Sequence, residues 1–131
     1  MIQLLSKIQI VDNSGANVGR CIKILSPKGK NFAEVGDLIL ISVQQTQFLK
    51  GTLSPSREQI STGDLFKAIV VRAKKDKGHR FLADNAAILV KISPKTGEFT
   101  PIGSRIKGPV SLRLSEKAGM EKILSLAKSV L

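Results

Sequence analysis

Tryptophan and tyrosine are absent from this 131-residue chain, and aromatic residues make up only 4% of it, all five of them phenylalanine. Readers of single-stranded nucleic acid stack bases on exposed aromatic platforms. Here the phenylalanines lie in or beside apolar runs, and Phe32, Phe48 and Phe99 adjoin turns or loops, which argues against such a platform. Cysteine and histidine occur once each, as Cys21 and His79. A single cysteine cannot close an internal disulfide, and the pair falls short of a Cys/His zinc site. Cys21 lies in Cys21-Ile22-Lys23-Ile24-Leu25 and reads as a small strand residue without chemistry. No apolar run approaches the roughly 20 residues that cross a bilayer. The basic residues are spread along the chain and do not line one face of a long amphipathic helix. Met1-Ile2-Gln3-Leu4-Leu5 has neither the Arg- and Ser-rich character of a transit peptide nor the basic start and long apolar stretch of a signal peptide. That fits a protein that stays where it is made, or one whose address is internal or already removed.

Catalytic signatures are equally scarce. Phosphate loops of the Walker or dinucleotide type need glycines at set spacing before a helix, and that spacing does not occur. A serine nucleophile needs a base, and His79 sits in the basic stretch Lys77-Gly78-His79-Arg80, where a solvated or phosphate-facing side chain is expected. Ser14 lacks the strand, glycines and helix of a nucleophile elbow. Asp12, Asp37 and Asp64 each adjoin a Gly or Asn and read as turn formers in preference to metal ligands. No cofactor is implied.

What the sequence does have is positive charge. Lys plus Arg number 21 against 10 Asp plus Glu, a formal net charge of +11. A folded domain with that imbalance repels itself until a polyanion neutralises it, and nucleic acid is the usual one. With few aromatics, cations on loops around a compact body suit phosphate contact with folded RNA, read more by shape than by sequence.

The hydrophobic fraction of 42% is enough for a real core. Lys7-Ile8-Gln9-Ile10 alternates with the period of a half-buried strand and runs into the turn cluster Asp12 to Asn17. Further strands are predicted over Arg20 to Leu25, Leu38 to Val43, Phe66 to Arg72 and Ala86 to Ile92. The run from Leu38 to Val43 is apolar enough to be covered on both faces, or nearly so. Val35-Gly36-Asp37-Leu38 and Thr62-Gly63-Asp64-Leu65 each place a Gly-Asp turn before a strand. Five short strands with tight turns favour a closed barrel, which leaves no exposed edge. Met120, Ile123, Leu124, Ala127 and Leu131 recur at helical spacing and predict a short C-terminal helix lidding it. Phe48 to Thr62 and Ala73 to Arg80 read as exposed loops, too short to link domains. The expectation is one mainly β domain over residues 1–131: a small five-stranded closed β-barrel with a short C-terminal helical region.

Several blocks, in order, resemble the large-subunit ribosomal protein L-fourteen family. They are Asp12-Asn13-Ser14-Gly15-Ala16, Cys21-Ile22-Lys23, Val35-Gly36-Asp37, Lys67 to Arg72 with Lys74-Lys75, Asp84-Asn85-Ala86, Pro101 to Ile106, Gly108-Pro109-Val110 and Lys122 to Ala127. Together they span nearly the whole chain. The resemblance implies a five-stranded barrel on the intersubunit face of the large subunit. It further implies binding to large-subunit ribosomal RNA, packing against neighbouring ribosomal proteins, and bridges to small-subunit RNA. In bacteria and organelles a ribosome-silencing factor docks on this family, which makes Ser104, Arg105 and Lys122 candidate protein contacts. Asn13, Ser14, Lys23, Arg72, Lys74 and Lys75 fall in matched blocks as RNA candidates. Arg20, Lys77, Arg80 and Arg113 join them on charge alone.

Two departures from the family pattern stand out. Phe48 to Thr62 is longer and richer in Ser and Pro than the bacterial counterpart, with Ser61-Thr62 where lysines are common. The loop from Lys74 to Arg80 is shorter than the family's basic hairpin. Such drift suits an organellar ribosome, the mitochondrial one foremost. The competing readings are a free-standing structured-RNA-binding barrel, acting as an assembly factor or regulator, and an enzyme acting on RNA.

Overall fold

The computed structural model describes residues 2–26, 31–46, 60–73, 84–111, 114–115 and 119–127. Among these residues eight strands and one helix follow in order: β1 (Ile2–Gln3), β2 (Lys7–Ile10), β3 (Ala16–Ser26), β4 (Phe32–Ala33), β5 (Leu38–Thr46), β6 (Leu65–Arg72), β7 (Ala86–Ile92), β8 (Phe99–Pro101) and α1 (Glu121–Leu126). The main sheet runs β2-β3-β5-β6-β7-β8, and a further pairing of β2 with β7 closes five of these strands into a barrel. All its pairings are antiparallel except the closing one, where Gln9 and Ile10 lie parallel to Ala86 and Ala87. The expected five-stranded closed barrel with a short C-terminal helix is therefore what the chain forms.

Burial explains why these segments are strands. Ile8, Ile39, Ile41, Val43, Ile69, Val70, Ile88 and Leu89 are all but fully buried, and β-branched side chains fit a pleated surface with one covered face. Each such side chain contributes about 1.5–3 kcal/mol relative to exposure. β5 is nearly covered on both faces over Leu38 to Val43, as its apolar run predicts. Ile39, Ile41 and Val43 point inward, while Leu40 and Ser42 between them are only half-buried. Full burial on both faces occurs in β6, from Ala68 to Arg72, and in β7, from Ala86 to Val90. One inward position must stay small: a Cβ on Gly19 would lie 2.8 Å from Ile41 Cδ1. Gly19 thus lets β3 pass close over the Ile41 side chain.

The two Gly-Asp turns are one structure used twice. Glu34 to Asp37 is a type II turn, with the Asp37 N–H donating to the Glu34 carbonyl at 3.1 Å and Gly36 at φ 88°. Ser61 to Asp64 repeats it, with Asp64 N–H to Ser61 carbonyl at 3.2 Å and Gly63 at φ 93°. Each aspartate also accepts the amide three residues back, Glu34 and Ser61 respectively, both at 2.9 Å. Gly36 and Gly63 then donate at 2.8 Å to Val70 and Val43, so the two turns cap opposite ends of the β5–β6 pair.

α1 is shorter than the spacing to Leu131 suggests. Met120 and Ile123 enter the core, but Ala127 takes an extended conformation and pairs as an isolated bridge with Ile106. A helix of this length is marginal in isolation and is held by those two anchors. Leu131 lies outside the described residues.

Candidate nucleic-acid interface

The fold disposes of its acids unevenly. Asp37 and Asp64 are held in their turns by backbone amides. Asp84 pairs with Arg72 at 3.2 Å. Asp12 is buried: its Oδ1 accepts the Ser14 hydroxyl at 2.5 Å and the Ser14 amide at 3.2 Å, and its Oδ2 accepts the Leu89 amide at 3.0 Å. Burial pushes the Asp12 carboxyl above its ordinary value, while these hydrogen bonds act in the opposite direction. Four carboxylates are thereby committed to the fold, which leaves the outer surface more positive than composition alone suggests.

Four of the described cations, Lys7, Arg20, Lys23 and Lys67, lie on the outward face of the β2-β3-β5-β6 ladder, carried by β2, β3 and β6. Strand register sets Lys7 directly opposite Arg20, and Arg20 opposite Ser42. Further along, Lys23 is opposite Leu40, and Leu40 opposite Lys67. Inward neighbours alternate with them: Ile8 beside Lys7, Cys21 beside Arg20, and Ala68 beside Lys67 are all buried. Like charges directly opposite on neighbouring strands are destabilising by roughly 0.2–1 kcal/mol. Among the described residues no acid forms an ion pair with Lys7, Arg20, Lys23 or Lys67. The Nε of Arg20 is buried and has no hydrogen-bond partner among the described residues. This face suits a line of phosphates.

Arg20 and Lys23 are candidates on sequence; Lys7 and Lys67 are not. Period-two alternation marks both as outward, yet only the register shows that they share one face with Arg20 and Lys23.

Asn13 and Ser14 have positioning roles in the structure. The Asn13 Oδ1 accepts the amides of Ser104 at 2.7 Å and Arg105 at 3.2 Å, and its Nδ2 donates to Ser104 Oγ at 2.9 Å. The Ser14 hydroxyl is taken by Asp12. A candidate RNA residue and two candidate protein-contact residues thus form one unit, in which Arg105 is exposed. Gly103 permits the close approach, since a Cβ there would lie 2.7 Å from Asn13 Oδ1.

Arg72 is buried at the end of β6, 8% exposed, where Nη1 donates to the Pro109 carbonyl and Nη2 to Asp84 Oδ2, each at 3.2 Å. Gly108, at φ 79°, leaves room for the guanidinium where a Cβ would collide with Nη1. The structure therefore uses Arg72 to tie β6 to the 108–109 turn. Lys122, on α1, reaches Glu98 at 3.5 Å as an exposed pair, which places it beside β8. Lys74, Lys75, Lys77, Arg80 and Arg113 lie outside the described residues, as do His79 and most of the 48–62 segment.

Cys21 is buried in β3, where burial raises its thiol pKa. Among the described residues no three His, Cys, Asp or Glu side chains cluster as metal ligands, and no helix is long and apolar enough to cross a membrane.

Four aspartates are thus tied into turns, a strand ladder and an ion pair, while Lys7, Arg20, Lys23 and Lys67 share one outward face. From residue 1 to residue 131 the sequence matches the family model described as Ribosomal protein L14p/L23e. The chain belongs to this family of non-enzymatic large-subunit ribosomal proteins that bind ribosomal RNA.

Proposed function

We propose that the outward face of β2, β3, β5 and β6 is where this protein holds the phosphate backbone of large-subunit ribosomal RNA. Lys7, Arg20, Lys23 and Lys67 neutralise phosphates with release of counterions, and the barrel fixes their spacing. The observation that carries this reading is Lys7 opposite Arg20, a like-charge pair that an RNA phosphate relieves. Lys74, Lys75, Lys77, Arg80 and Arg113 extend the same contact on grounds of charge. Asn13, Ser14 and Arg72 act as positioning residues.

The unit of β8, the 102–106 loop and α1 is assigned to protein contacts, with Ser104, Arg105 and Lys122 facing neighbouring ribosomal proteins or a silencing factor. Support comes from Asn13 and Glu98, which fix the loop and the helix lysine on one side of β7. Bridges to small-subunit RNA belong to the same reading, and the family match supports them. The reduced basic character at Ser61-Thr62 and in the 74–80 loop favours a mitochondrial ribosome.

A tagged chain followed through sucrose gradients of cell and mitochondrial lysates, at low and high salt, tests this. Co-migration with the large subunit in the mitochondrial lysate is expected. Migration at the top of every gradient would instead support the free-standing RNA-binding barrel.

A further inference from the structure

Leu4, Leu5 and Ile22 are exposed large apolar residues, at 53%, 68% and 40% respectively. Leu5 is held out by an unusual backbone. The Ser6 amide donates to the Gln3 carbonyl at 3.2 Å, which closes a turn with Leu5 at its third position and φ 67°. That conformation normally falls to glycine, so a leucine there is conformationally costly. The Leu5 amide donates to the Cys21 carbonyl at 2.6 Å, and the Cys21 amide donates to the Ser6 carbonyl at 3.0 Å. Leu5 and Ser6 therefore face Cys21 together as a bulge, and Leu5 is bonded to the peptide unit that joins Cys21 to Ile22. Two unfavourable features coincide at one residue: a left-handed backbone and a solvated apolar side chain.

The surroundings identify the occupant. The patch lies at the end of the ladder that carries Lys7 opposite Arg20, with Lys23 next in chain to Ile22. It is therefore continuous with the basic face. Three side chains are far too few for an independent protein interface, which buries on the order of 1,200–2,000 Å². They match the size of one or two nucleobases. RNA presents apolar surface where a base is unstacked, and apolar side chains can wedge against such bases while nearby cations hold the phosphates.

We propose that Leu4, Leu5 and Ile22 form a wedge that packs against an unstacked base of the same ribosomal RNA whose phosphates lie along Lys7, Arg20 and Lys23. This rests on the phosphate reading above and adds to it a contact that salt does not screen.

The two can be told apart by measuring affinity of the full chain for a large-subunit ribosomal RNA transcript across a salt series. Replacing Lys7 and Lys23 by Gln tests the phosphate reading, through the slope of affinity against salt. Replacing Leu4 by Ser and Leu5 by Gly tests the wedge, and the glycine relieves the backbone so that folding is preserved. The wedge variant is expected to lose roughly ten-fold in affinity at every salt concentration, with its slope unchanged. An affinity equal to that of the unaltered chain would overturn the wedge and leave the phosphate reading intact. Independently, a benzophenone amino acid at position 5 is expected to photocrosslink to RNA within purified large subunits. Crosslinking to a protein, or to nothing, would also overturn the proposal.

Discussion

The Leu89 amide donates to the Asp12 carboxylate at 3.0 Å, at the point on the β7 edge where one strand partner gives way to another. On one side of that point the Gln9 and Val11 amides donate to the Asn85 and Ala87 carbonyls. On the other, the Ile102 amide donates to the Leu89 carbonyl and β8 begins. β2 has run out and β8 has not yet arrived, so a side chain completes the ladder. A buried amide left unpaired costs about 1–3 kcal/mol, which Asp12 avoids. The same residue anchors Ser14, and its neighbour Asn13 anchors the 104–105 loop.

Asp12→Asn should destabilise the protein by about 1–3 kcal/mol, because an amide Nδ2 must then face the Ser14 or Leu89 donors. The pH dependence has a definite sign. Burial raises the folded-state pKa of Asp12, so the folded state holds this proton more tightly than the unfolded chain. Its contribution to stability is full below the unfolded-state pKa and is lost as pH rises through the folded one. Thermal unfolding across acid to neutral pH should therefore show the unaltered chain losing its advantage over the Asp12→Asn variant as pH rises. An advantage that grows with pH would show that the hydrogen bonds outweigh burial.

Asn13→Ala should release the 102–105 loop without unfolding the barrel. The Ser104 and Arg105 amides both lose their acceptor, at roughly 1 kcal/mol each. Hydrogen exchange should quicken at those two amides while Ile69 and Ile88 keep their protection. Gly103→Ala should give the same local signature for a steric reason, since its Cβ meets Asn13 Oδ1. Equal quickening across the core would mean that the loop is integral to the barrel.

Much of this fold is legible in the sequence, and the places where it is not have physical causes. β2 and β7 follow from alternation and from an unbroken apolar run, and they occupy the expected residues. β3 begins at Ala16, earlier than its composition suggests, because Asn17 and Gly19 are weak strand formers carried by a coiled, bulged pairing with β5. β1, β4 and β8 have two or three residues each, too few to show any period. The site is less legible than the fold. Arg72 looks outward-facing in its sequence block, but β6 is covered on both faces from Ala68 onward, so alternation no longer marks a solvent side. Lys7 and Lys67 are marked as outward by alternation, yet their meeting with Arg20 and Lys23 is a property of register.

Asp84→Ala should be more damaging than Arg72→Met. Arg72 is buried and its Nε has no partner among the described residues, so its charge already carries an unrecovered desolvation cost. Met keeps the packing and removes that cost, and a loss below about 1.5 kcal/mol is expected. Removing Asp84 leaves the guanidinium with the Pro109 carbonyl alone among the described residues. Because the Asp84 side chain is 46% exposed, solvent tempers the loss, to about 1–3 kcal/mol. Denaturant midpoints of the two variants decide the order, and the reverse ranking would make the ion pair a net stabiliser.

Lys7→Gln should move stability and function in opposite directions. In the free protein Lys7 faces Arg20 across the β2–β3 ladder. Neutralising one of two facing cations should raise stability by roughly 0.2–1 kcal/mol, seen as a higher melting temperature at low salt that fades as salt is added. The same change removes a cation from the proposed phosphate track. Affinity for large-subunit ribosomal RNA should fall, with the slope of log affinity against log salt reduced by about one. A structural lysine would lower stability when replaced, and a merely solvated one would leave both measurements unchanged. Only a residue held against its own neighbour for the sake of a polyanion gives the crossed result.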